Sequence, residues 1–115
     1  MRFKELNIDK MKLTEKKCVP CEGGVPPFNP SETEAYLKKV DNWNLEGNKI
    51  HKTYNFVNFG QTMDFVNKVA GLAESEGHHP DMHVSYGSCK IILWTHAING
   101  LSENDFILAA KIDRL

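Results

Sequence analysis

The fold turns on Glu74-Ser75-Glu76-Gly77-His78-His79-Pro80-Asp81-Met82-His83-Val84-Ser85-Tyr86-Gly87-Ser88-Cys89-Lys90-Ile91-Ile92-Leu93-Trp94-Thr95-His96. It reads as a helix end, a stop, a strand, a turn and a second strand. Gly77 is the stop, because glycine adopts the left-handed C-terminal cap without a Cβ penalty. Pro80 keeps His79 out of the helical region and in extended backbone. Met82, Val84 and Tyr86 then alternate with His83 and Ser85, as a strand requires. Gly87-Ser88 is expected to turn the chain. Cys89 to His96 is the strongest strand, with Ile92, Trp94 and His96 on its even-numbered face. Successive side chains on extended backbone point opposite ways, so His78 and His79 should do different jobs. Imidazole is the side chain whose unperturbed pKa lies nearest neutrality, which suits it to proton transfer. A further group must join the pair from elsewhere.

Towards the N-terminus, Asn58-x-x-Gln61 opens the helix that Gly77 ends, by a variant of the capping box. Phe59, Met63, Val66, Val69, Ala70 and Ala73 form its expected buried stripe. Before it, Gly47-Asn48 separates Trp43 to Leu45 from Lys49 to Val57 and predicts a hairpin. Ile50, Tyr54 and Phe56 share one face of the second strand. Ser31-x-x-Glu34 reads as a capping box for a helix over 31–40, with Tyr36, Leu37 and Val40 apolar. Residues 18–30 hold four prolines and two glycines, which excludes helix and central strand and predicts an extended arm across the surface. Residues 1–17 are read as a loosely docked extension.

Towards the C-terminus, Ser102-x-x-Asp105 caps a last helix, with Leu101 and Phe106 as its hydrophobic staple. Leu108, Ala109, Ile112 and Leu115 are its expected buried stripe. The order α-β-β-α-β-β-α predicts an α+β domain over 31–115, a four-stranded antiparallel sheet covered on one face by helices. An N-terminal extension over 1–30 precedes it.

Composition narrows the function classes. The 115 residues suit one domain, and a net charge of −1 gives no broad basic face for nucleic acid. No apolar run approaches membrane-spanning length. The start, Met1-Arg2-Phe3-Lys4-Glu5, lacks the apolar stretch of a secretory signal, so a cytoplasmic location is expected. Cys18-x-x-Cys21 is one pair, with Cys89 alone in a strand. A structural zinc site usually takes four ligands, so free thiols and no metal are expected.

One ordered set of residues resembles the pterin-4a-carbinolamine dehydratase family. It comprises Glu74, His78-His79-Pro80, Thr95-His96, Gly100-Leu101-Ser102, Asp105 and Leu108-Ala109. The similarity also takes in Trp43 and the helix from Phe59, and spans roughly 31 to 113. The resemblance implies the same α+β fold, as a homodimer or homotetramer. It implies a dehydratase that converts a 4a-hydroxytetrahydropterin to quinonoid dihydropterin and water. That reaction recycles the pterin of aromatic amino acid hydroxylases and needs no cofactor. His78 and His96 are implied as the proton-transfer residues, and His79 as the residue that orients the pterin. Gly77, His78, His79, Trp94, Thr95, His96 and Ala97 are implied to line the ring. Glu74 and Asp105 are implied as supporting carboxylates, with Asp105 expected on His96.

Plainer roles stand beside these. His78 and His79 could cap the preceding helix, and Asp105 is explained by its capping box alone. Trp94 could be core, and His51 and His83 read as solvated strand residues. Two other functions compete. One is an interaction protein, since some family members bind transcription factors through their helices. The other is a small zinc protein using histidines or the Cys18-Cys21 pair.

Overall fold

The computed structural model describes residues 13–20 and 25–115. Two hairpins build the sheet. Strands β1 (Asn44–Glu46) and β2 (Lys49–Asn55) pair antiparallel around Gly47-Asn48, where Gly47 has φ +62°. Strands β3 (Asp81–Ser85) and β4 (Ser88–Leu93) form the second hairpin. Joining β2 to β4 gives a single antiparallel sheet in the order β1-β2-β4-β3. Besides a helical stretch at residues 13–15, the helices of the described residues are α1 (Pro30–Leu37), α2 (Phe59–Glu76) and α3 (Glu103–Ile112). The α+β architecture expected from the element order is therefore the one observed.

The core lies between sheet and helices. Ile50 of β2 and Cys89, Ile91 and Leu93 of β4 are fully buried. Helix α3 is buried almost all round, from Asn104 to Ala110 and at Ile112. The residue that caps its C-terminus ties it to the sheet: Asp113 accepts hydrogen bonds from Lys52 and Tyr54 of β2 and from Trp43 just before β1. The staple residues Leu101 and Phe106 are both buried.

Several boundaries differ from the sequence expectations. Helix α1 is capped by Asn29 with Glu32, not Ser31 with Glu34, and Pro30 occupies its first turn. Proline lacks an N–H, and the first helical position needs none, so the helix starts at the proline instead of after it. Residues Lys39 and Val40 continue the helix only through tighter bonds to Tyr36 and Leu37. On α2 the buried residues are Thr62, Phe65, Val66, Val69 and Ala73. Phe59 is instead exposed and stacks on Tyr86. The second turn is Tyr86-Gly87, since Ser85 pairs with Ser88. A Cβ on Gly87 would stand 3.0 Å from the Phe56 carbonyl, so backbone proximity explains the glycine. Leu115 is exposed rather than buried.

The described part of the extension is not loose. Leu13 is buried in the core and Lys16 pairs with Glu103. Phe28 donates its N–H to the Leu101 carbonyl, and Pro27 packs where a Cβ on Gly100 would lie. Cys21 lies outside the described residues, so the pairing of Cys18 with Cys21 does too.

Candidate functional site

The site forms where the C-terminus of α2, the end of β4 and the N-terminus of α3 meet. Asn58 and Gln61 start α2 as expected, Asn58 accepting the Gln61 N–H. At the other end Gly77 takes φ +66° and ends the helix. The chain turns there and presents His78 and His79. Strand β4 stops at Leu93 rather than running to His96. Thr95 forms a bridge with Gly100, and His96–Ile98 make a short 3₁₀ turn inside that loop. Asn99 closes it at φ +51°, a conformation asparagine tolerates. His96 therefore sits on a tight loop at the strand end, its ring stacked on Trp94 with centroids 4.1 Å apart. The Lys49 ammonium lies 4.1 Å from the Trp94 ring centroid.

The two adjacent histidines have different partners and different exposure. His78 Nε2 is 2.7 Å from Asp105 Oδ1, and the Asp105 side chain is wholly buried. His79 Nε2 is 3.0 Å from Glu74 Oε1, and both of these side chains are mostly exposed. Asp105 was expected on His96, but its hydrogen bond goes to His78. The reason is geometric. Capping α3 fixes Asp105 Oδ2 on the Ser102 N–H at 3.0 Å, and this leaves Oδ1 turned towards the end of α2.

Burial decides the chemistry of this carboxylate. A buried charge is costly unless hydrogen bonds satisfy it. Asp105 has three: the Ser102 N–H, the Thr95 hydroxyl at 2.9 Å, and His78. Ser102 and Thr95 hydroxyls are themselves 2.7 Å apart. An ionised carboxylate can only accept, so this contact favours the tautomer with the proton on His78 Nε2, and in the neutral ring of that tautomer Nδ1 carries the lone pair.

These side chains surround a cavity of about 200 Å³ lined by Gly77, His78, His79, Trp94, Thr95, His96 and Ala97. Every residue expected to line a pterin ring thus meets in one place. Two further lining residues, Val19 and Asn104, were not anticipated. Asn104 had a signal, since a polar residue at the second position of a capped helix can face inward. Val19 had none, because its place depends on where the arm docks.

Behind the site, Glu76 joins three segments. Its Oε1 accepts the Cys18 N–H at 2.8 Å, and its Oε2 accepts from the Lys111 ammonium at 2.6 Å. Burial works against this carboxylate, yet Lys111 and the Cys18 N–H hold it below the usual range. The Cys18 thiol is pushed up to about 12 by burial, with the Glu76 charge adding to the effect. Among the described residues, no three His, Cys, Asp or Glu side chains converge as a metal site, and no helix is long and apolar enough to cross a membrane.

Comparison with known proteins bears on this geometry. A family model described as pterin 4 alpha carbinolamine dehydratase matches residues 26–115. A protein of Nitrosomonas europaea is 55% identical over 104 residues, covering 90% of this chain and 92% of its own. One of Rickettsia canadensis is 52% identical over 103 residues, covering 88% and 94%. Both bear the name "Putative pterin-4-alpha-carbinolamine dehydratase". The crystal structure of a transcriptional coactivator/pterin dehydratase from Brucella melitensis is 29% identical, with a TM-score of 0.73 over 76% of this chain and 96% of its own. A pterin dehydratase-like protein identified as a RuBisCO assembly factor in the alpha-carboxysome shares the fold at 23% identity and a TM-score of 0.53, over 64% and 84%.

Proposed function

Since the chain belongs to the pterin-4a-carbinolamine dehydratase family, we propose that it dehydrates a 4a-hydroxytetrahydropterin by histidine acid–base catalysis. In the cytosol this would return quinonoid dihydropterin for re-reduction after aromatic hydroxylation. The observation that carries the reading is the His78–Asp105 pair, a buried carboxylate bonded to an imidazole on the cavity wall.

The reaction breaks the C4a–O bond, and the leaving oxygen takes a proton. The ring nitrogen next to C4a loses its proton, and its electron pair closes the C=N bond. Water and the dihydropterin balance the substrate. Because Asp105 holds the proton on Nε2, His78 Nδ1 is the base for the ring N–H. His96, on the tight loop across the cavity, protonates the leaving hydroxyl. The stack on Trp94 fixes the plane of its ring. His79, exposed and paired with Glu74, binds and orients the pterin. Each positioned acid or base typically contributes about a hundred- to ten-thousandfold.

The test is the absorbance change of freshly generated 4a-hydroxytetrahydropterin. Wild type should accelerate dehydration strongly. His78→Ala and His96→Ala should each lose about a hundredfold or more in kcat, and His79→Ala should act chiefly on KM. Folded wild-type protein that does not beat the spontaneous rate would overturn the reading. An interaction role would then take its place. The surface for it is the exposed Val57, Phe59 and Tyr86 group at the start of α2, the opposite end of that helix from His78.

A further inference from the structure

Val19 is held to the cavity by its backbone, not by its side chain. The Asn104 amide Nδ2 donates to the Val19 carbonyl at 2.6 Å, and the Val19 N–H donates to Asn104 Oδ1 at 3.0 Å. Both ends of one buried amide are thus spent on one residue of the arm, which leaves that amide a single orientation. The preceding residue is held as well, by the bond from the Cys18 N–H to Glu76. Asn104 immediately precedes Asp105, and Glu76 immediately precedes Gly77-His78. The arm is therefore fastened to the same two elements that carry the His78–Asp105 pair.

Val19 remains 65% exposed while lining the cavity. Folding gains little from an apolar side chain left in water. Buried polar groups nevertheless anchor its backbone at the cavity edge. The other lining groups are imidazoles, an indole, a hydroxyl and an amide, which suit the polar edge and the face of a pterin ring. Val19 and Ala97 are the aliphatic lining side chains.

We propose that Cys18–Val19 is a latched wall of the substrate cavity, and that Val19 determines which substituent on the pterin ring the site accepts. The proposal rests on the dehydratase reading. Changing the length of residue 19 alters the space beside the ring without touching an imidazole. A methylene-sized change in an apolar pocket discriminates substrates by tenfold or more when enclosed. A wall open on one side should give about three- to tenfold.

The experiment compares two 4a-hydroxytetrahydropterins that differ at one ring carbon, which bears either a methyl group or a three-carbon dihydroxy chain. The quantity read is the ratio of their kcat/KM values, longer chain over methyl. Val19→Ala should raise the ratio about three- to tenfold, and Val19→Leu should lower it. Asn104→Ala, which releases the latch, should move it in the direction of Val19→Ala. Ratios equal to wild type in all three variants would overturn the proposal, even with both substrates turned over. Wild-type protein that accelerates neither substrate would overturn the dehydratase reading itself, and that result is read before any variant is made.

Discussion

At the scale of single residues, the site places one side-chain type in two settings that differ in burial. His78 and His79 are neighbours, and each meets a carboxylate. Asp105 is wholly buried, whereas Glu74 is mostly exposed. Exposed ion pairs are worth about 0.2–1 kcal/mol, while buried hydrogen bonds to a charged group are worth about 1.5–3 kcal/mol. Glu74→Gln should therefore change kcat less than about fivefold, in keeping with the exposed-pair range. Asp105→Asn keeps the acceptor for Ser102 and Thr95 but turns an amide NH₂ towards His78. That forces Nε2 to accept and moves the ring proton to Nδ1, removing the base. Its kcat should fall about a hundredfold or more, with a stability cost of about 1–3 kcal/mol. Steady-state rates beside thermal melts separate the two effects. An Asp105→Asn enzyme with wild-type kcat would remove His78 from the role of base.

At the scale of elements, local chemistry was legible where a cap or a glycine dictates it. Asn58, Gly77 and the Ser102–Asp105 box start or stop helices as their residue types require. Boundaries were misplaced where two local signals competed, as with Pro30 inside α1 and Ser88 after the Tyr86-Gly87 turn. The partner of Asp105 was not legible, because it depends on how α3 docks against the end of α2. Glu76 carries the same docking in ionic form. Its folded pKa lies below its ordinary value of 4.5. The unfolded chain therefore binds more protons than the native one below that pH, and stability rises with pH there. The contribution is complete above about pH 4.5 and is lost as pH falls through the lowered native value. At pH 7, Glu76→Gln should cost about 1.5–3 kcal/mol, the range for a hydrogen bond to a charged group. The gap from wild type should narrow as pH drops below 4.5. Melting temperatures of the two proteins from pH 7 down to pH 3 check this (the range is about that of ordinary carboxylate titration). A gap that stays constant across that range would show that Glu76 acts by packing and not by charge.

At the scale of the whole molecule, the core and the family match have different limits. The family model begins at residue 26, yet Leu13 is 2% exposed and belongs to the central cluster with Ile107, Leu108 and Ile112. The period of the strands and the stripe of α3 made the four-stranded sheet and its helical cover readable in sequence. The place of the extension was not readable, because one leucine among lysines and glutamates carries no periodicity. Its energetic weight can still be stated. Truncating a buried leucine to alanine costs about 2–5 kcal/mol, the lost transfer energy plus the cavity left behind. If Leu13 is part of the same cooperative unit as the sheet, Leu13→Ala should lower the unfolding free energy by that amount, read as a lower urea midpoint at an unchanged m-value, since the same surface is exposed on unfolding. If the extension folds onto an independently stable domain, the variant should show a wild-type midpoint, with only the arm released. The first result would make the arm that carries Cys18 and Val19 a structural member of the domain. The cavity edge that Val19 lines would then be lost only when the sheet itself unfolds.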